Sequence, residues 1–250
     1  MRYLWAAGSW GTVLLLALLL VSTSGCKGPR LLSTDEEIRL GQQAGDEFEQ
    51  EHGRDRDQRR NAIAARIGSR IAQAARPPDY PYDFRVLADD EVNAVAFPGG
   101  RIYFFRGLFE TLGYDEDQLA WVAGHEAAHV ARKHAVRRIE RSLGYELLIQ
   151  LVFGQDTGGQ IAGLVAGLML QDYGRDNELE ADRLGLEFTK AAGYDPTAAL
   201  AVLDKFAQIQ GKDPNRLELL FMTHPGNTTR SDAVKSHLRQ RGWSGKYYRP

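Results

Sequence analysis

His125-Glu126-Ala127-Ala128-His129 lies inside a segment, Asp115 to His134, that reads as a single helix. Asp115 suits the N-cap, with Gln118 three residues on as in a capping box. Glu116 and Asp117 put negative charge on the first turn, where the helix dipole favours it. Leu119, Val122, Ala123 and Val130 supply apolar positions at helical spacing. Residues four apart share a helix face, so the rings of His125 and His129 can meet at one point, where two neutral imidazoles form a pair of Zn²⁺ ligands. Glu126 lies about 100° further round, close enough to exchange a proton with water at that point without displacing a ligand. A crowded buried helix is the competing reading, and Gly124, Ala127 and Ala128 suit it equally. The pentad in a capped helix favours the metal.

A catalytic zinc needs a third protein ligand and an open fourth position. Downstream, Tyr173 to Ala192 contains the acidic helical run Asp176-Asn177-Glu178-Leu179-Glu180-Ala181-Asp182. Glu178 and Asp182 are four apart and share a face, whereas Glu180 stands about 200° from Glu178. The expectation is that Glu178 is the ligand, that Asp182 accepts the free N–H of a ligating imidazole, and that Glu180 points away. Without the upstream pentad, a solvated acidic face would be the better reading. A third histidine six residues after His129 would compete for the metal, but that position is Ala135. His134 falls one short and reads as a structural or orienting histidine.

Composition bounds the rest. Of the 250 residues, 43% are hydrophobic and 26% charged, which describes one medium globular domain. A net charge of −2 gives no reason to expect nucleic acid as a partner. Arg2 precedes the apolar run Val13 to Val21 and the small residues Ser22 to Gly25, so residues 1–25 read as a secretory signal. Cys26 is the single cysteine of the chain and makes no internal disulfide. Thr23-Ser24-Gly25-Cys26 resembles a bacterial lipobox, with Thr23 where leucine is usual. That resemblance implies lipid on Cys26, a tether over residues 26–32, and a folded domain over 33–250. Lys27, in place of an aspartate that retains lipoproteins at the inner membrane, favours an outer-membrane anchor.

Ser33-Thr34-Asp35-Glu36 forms a capping box that starts a helix running to about Glu51. Gly53 to Asp57 breaks it. A second helix carries the stripe Ile63, Ile67, Ile71 and ends at Arg76 before Pro77-Pro78. Phe84 to Leu87 reads as a strand, and Val92 to Phe97 with Ile102 to Phe105 as a hairpin about Pro98-Gly99-Gly100. A proline beside a strand suits an edge. Asn93, Ala94, Val95, Ala96 and Phe97 are therefore a candidate edge strand for an extended peptide. That the aromatic residues here simply face the core is an equal alternative. Leu143 to Phe153 reads as helix and Gly154 to Gly159 as loop. Ile161 to Leu170 is apolar but too short to cross a bilayer, and reads as a buried helix, with a membrane-facing lip as the alternative. The fold class is α+β: mostly helices, with a small sheet or hairpin at one wall of the cleft.

With these residues in place, the chain resembles the M48 peptidases, a gluzincin family, over about Ser33 to Arg239. The resemblance rests on Asn93-Ala94 to Pro98-Gly99-Gly100, His125 to His129, Arg175 with Glu178-x-x-Ala181-Asp182, and Thr223-His224-Pro225 with Arg230. Gly174 departs from the serine many members have before the arginine. The resemblance implies a zincin-type domain with one Zn²⁺ on His125, His129 and Glu178, Glu126 as general base, and Asp182 and Arg175 as supporting residues. It also places His224 at the active site, either stabilising the oxyanion or latching the fourth zinc position. Lacking the several membrane helices of some branches, the chain looks like the small periplasmic lipoprotein branch. The implied function is a zinc endopeptidase acting on misfolded or misassembled envelope proteins. The alternative is a chaperone-like assembly factor whose latched zinc site does little proteolysis.

Overall fold

Helix α1 (Thr34–His52) begins as the local sequence dictates: Ser33 Oγ accepts from Glu36 N–H, and Glu36 accepts from Ser33 N–H at 2.6 Å. It ends at Gly53, whose φ of 73° is open to glycine at little cost. Helix α2 (Gln58–Ala74) is capped by Asp57 and buries the stripe Ile63, Ile67, Ile71. Strands β1 (Asp83–Leu87), β2 (Ala94–Ala96) and β3 (Arg101–Phe105) form a mixed sheet in the order β1-β3-β2. β1 runs parallel to β3, and β2 and β3 make the antiparallel hairpin around the 3-10 turn Pro98–Gly100. Helices α3 (Arg106–Leu112) and α4 (Glu116–Ala131) follow, then α5, described over 134–142. The chain continues through α6 (Gly158–Met169), α7 (Arg175–Ala191), α8 (Ala198–Lys212), α9 (Glu218–Thr223) and α10 (Asn227–Arg241). This computed structural model describes residues 32–76, 79–142, 158–212, 217–224 and 227–249. The signal segment, Cys26, nearly all of the tether, the Leu143–Phe153 helix and most of the Gly154–Gly159 loop lie outside the described residues.

Successive strand residues point to opposite faces, and both faces are covered. Ala94, Ala96, Ile102 and Phe104 join one apolar cluster with residues of α2, α4 and α8. Val95, Phe97, Tyr103 and Phe105 join another with residues of α1 and α6. The result is helices on either side of a small sheet, which is why these strands read as continuous apolar runs rather than an alternation. Val165 and Met169 of α6 are fully buried in the second cluster, as the buried-helix reading expects. Gly158 and Gly159 belong to α6 and not to the preceding loop. Among the described residues, no helix is long and apolar enough to cross a membrane.

The metal-bearing helix differs from its expected extent. Asp115 caps it as expected, accepting from the N–H groups of Asp117 and Gln118, but α4 stops at Ala131 instead of continuing to His134. Lys133 takes a left-handed conformation at φ 56°, and a new helix starts at residue 134. Such a residue costs roughly 1–2 kcal/mol. A tertiary contact offsets it: Lys133 Nζ lies 2.5 Å from Glu37, a buried carboxylate of α1 that also accepts from the Tyr80 hydroxyl.

Candidate metal centre

Helices α4 and α7 approach closely because each has a glycine at the crossing. A Cβ on Gly124 would sit 2.9 Å from Gly185 O, and one on Gly185 would sit 3.0 Å from His125 N. This contact brings His125 and His129 of α4 against Glu178 of α7. His125 Nε2 and His129 Nε2 are 3.0 Å apart, and Glu178 Oε1 is 3.2 Å from His129 Nε2. From the segment after α9, His224 adds Nδ1 at 3.1 Å from Glu178 Oε1 and 3.3 Å from His125 Nε2. One ligand atom from each of these four buried residues lies within 4.8 Å of all the others.

Burial and neighbouring charges act differently on each group of the site. Burial works against the Glu178 carboxylate, yet His224 and Arg230 beside it hold it well below the usual range. Burial likewise opposes the charged form of His125, but Asp182 and Glu178 outweigh it and lift the ring to about 9. For His129 burial wins, and its pKa falls well below the ordinary value. Burial raises Glu126, more than His224 and His125 pull it back. Three imidazoles and a carboxylate converging without thiolates form a donor set that Zn²⁺ accepts. Glu126 stays outside this set. Its Oε1 is 3.5 Å from His224 Nε2, and its Oε2 is buried with no hydrogen-bond partner among the described residues. Beside it lies a small cavity whose walls include Ala94, Leu108, Trp121, Leu203 and Leu220.

The supporting residues only partly match expectation. Asp182 Oδ1 is 3.0 Å from His125 Nδ1. Asp182 is held at both oxygens by Arg230, at 2.8 and 2.7 Å. Arg230 also reaches Glu178 Oε2 at 2.9 Å and the backbone oxygen of His224 at 3.4 Å. Arg175, expected to support the site, is instead exposed at the start of α7 and bonds Thr229 Oγ1 at 3.0 Å. The guanidinium in the site comes from α10: it is Arg230, which the resemblance quotes beside Thr223-His224-Pro225 without giving it a role. Glu180 is outside the four-residue cluster, as expected, but it does not point into solvent: it contacts Arg132 and His134. Tyr173 stacks on His129 at 4.0 Å, and Arg138 covers the Tyr173 ring at 3.9 Å. Sequence reading assigned neither a role, and their spacing alone carries no signal for one.

Asn93 to Phe97 sit where the candidate edge strand places them: β2 is an edge in the order of the sheet. Yet Ala94, Val95 and Ala96 are only 2%, 3% and 2% exposed. The edge is therefore closed in this conformation. Ala94 lines the cavity that Leu220 and His224 line as well.

A family model described as peptidase family M48 matches residues 58–238. The chain is 29% identical to the β-barrel assembly-enhancing protease of Escherichia coli over 187 residues, covering 70% of this chain and 38% of that protein. It is 28% identical over 213 residues to the mitochondrial metalloendopeptidase OMA1 of Schizosaccharomyces pombe, covering 83% and 62%. It is 25% identical over 194 residues to the metalloprotease YcaL of Escherichia coli, covering 73% of each. The chain thus spans less than two thirds of the length of the first two.

Proposed function

Because the chain belongs to peptidase family M48, we propose that it is a zinc-dependent endopeptidase that cuts misfolded or misassembled envelope polypeptides. One observation carries the reading. Four metal-ligating side chains converge in a buried cluster, and the unpartnered oxygen of Glu126 stands beside it at an apolar cavity. His125, His129 and Glu178 would hold one Zn²⁺. When bound, zinc supplies Lewis acidity, polarising a carbonyl and making water nucleophilic near neutral pH. Glu126 Oε2 then accepts the proton of the attacking water and returns it to the leaving amine. The apolar lining of the cavity suits an apolar side chain next to the scissile bond. Arg230 and Asp182 hold Glu178 and His125 in place, and Arg175 has no direct part.

His224 is the latch in this reading. A catalytic zinc site keeps a position open, and His224 Nδ1 stands where a fourth ligand would close it. Leu220 of α9, just before His224, lines the cavity together with Ala94. Withdrawal of the His224 segment would open the cavity and the β2 edge, Asn93 to Phe97, to an extended peptide. The closed set equally suits a chaperone-like assembly factor with little proteolysis. His224→Ala separates a latch from an oxyanion stabiliser: a latched peptidase gains turnover of an unfolded polypeptide, whereas loss of an oxyanion stabiliser lowers it about 10²–10³-fold. No turnover by either protein, with zinc retained, would favour the chaperone. The name of the Escherichia coli relative, tied to β-barrel assembly, supports envelope substrates. Periplasmic placement through lipid on Cys26 rests on the lipobox-like run. Membrane fractionation of Cys26→Ser tests it: the variant should leave the membrane or remain unprocessed.

A further inference from the structure

His134 and Glu180 stand outside the four-donor cluster, yet they extend it in a line toward the surface. His129 Nδ1 lies 2.9 Å from His134 Nδ1. His134 Nε2 lies 3.2 Å from Glu180 Oε2, and Glu180 Oε1 accepts from Arg132 Nε at 2.7 Å. The far end of this line fixes every proton in it. A carboxylate paired with a guanidinium only accepts, so His134 Nε2 carries the hydrogen. In a neutral imidazole, Nδ1 is then the acceptor. His129 must donate to it from its own Nδ1, which leaves the lone pair of His129 Nε2 directed at Glu178 and His125. That lone pair is what a metal needs. The opposite tautomer would present a hydrogen there instead.

Chain geometry explains how His134 reaches this place. On a continuous helix, five residues past His129 lies about 140° round the axis, facing away. The left-handed Lys133 turns the chain so that His134, 1% exposed, folds back onto the His129 ring. Its other partner comes from α7, the helix that carries Glu178. The break in α4 is thus part of the site's construction. We propose that His134, oriented by Glu180 and Arg132, is a positioning residue that sets the tautomer and ring direction of His129 and so the affinity for the metal. This rests on the reading that the cluster holds zinc.

The test compares wild type with His134→Leu, His134→Asn and Glu180→Ala. Zinc affinity is measured by competition with a chelator, and the His129 tautomer by ¹⁵N–¹H correlation of the ring nitrogens after the metal is removed. His134→Leu and Glu180→Ala should each weaken zinc about 10–100-fold, the usual effect of losing a partner behind a ligand. His134→Asn should recover most of the affinity, because its Oδ1 stands in for the lost Nδ1 acceptor. The His129 ring should carry its proton on Nδ1 in wild type and become a tautomer mixture in the Leu and Ala variants. If His134→Leu fails to fold, the partly exposed Glu180→Ala decides alone. Zinc affinity within twofold of wild type in the folded variants, with an unchanged His129 tautomer, overturns the proposal. Wild-type protein that binds no zinc removes the zinc reading itself, and the proposal with it.

Discussion

The two histidines of the pentad are supported in different ways. Behind His125 stands Asp182, itself gripped at both oxygens by Arg230, and both charges are buried, at 1% and 6% exposure. Behind His129 stands His134, then Glu180 and Arg132, and this line reaches the surface, with Arg132 and Glu180 side chains 47% and 30% exposed. Both arrangements can fix a ring tautomer, but their energetics diverge. A buried ion pair that loses one partner leaves an uncompensated charge in a low-dielectric interior. A pair at the surface is replaced by water and screened by salt. The His125 side is therefore tied to the stability of the domain, and the surface end of the His129 side, Glu180 and Arg132, can be altered with little effect on the fold.

Substitutions can break this contrast at several depths. Arg230→Met should have the largest effect, about 3–5 kcal/mol of stability, because Asp182 and Glu178 both lose their buried guanidinium. Denaturant unfolding measures it, and a loss under 1 kcal/mol would equate the two sides. Asp182→Ala should weaken zinc by roughly 10–100-fold, as chelator competition would show, by freeing His125 Nδ1. Arg132→Ala should cost no more than about 1 kcal/mol, and less in high salt. A salt-independent loss as large as that of Arg230→Met would show that the His129 side is also structural.

What could be read from sequence follows how local each interaction is. The Ser33 capping box, the Ile63-Ile67-Ile71 stripe and the faces shared by His125 with His129 and by Glu178 with Asp182 depend on spacings of three or four residues, and the structure contains each. The end of α4 depends on Glu37 meeting Lys133 from another helix, which no window around His134 contains. Burial of the β2 edge depends on residues of α1 and α4 that share its two apolar clusters, so the hairpin was legible and its closure was not. Arg230 in place of Arg175, and the contact from Glu180 to His134, likewise arise where α4, α7 and α10 meet. Helical phase correctly excludes Glu180 from the four-donor cluster, but it cannot show which neighbour the outward carboxylate meets.

The central claim is that a metal on His125, His129 and Glu178 works with Glu126 to hydrolyse peptides. Glu126→Gln preserves the side chain's shape and removes its ability to accept a proton at neutral pH. The direct measurement is zinc content by elemental analysis together with turnover of an unfolded polypeptide, for wild type and this variant side by side. The account predicts full zinc in both and turnover lower by at least about 10²–10⁴-fold in Glu126→Gln. Undiminished turnover in the zinc-loaded variant would contradict it.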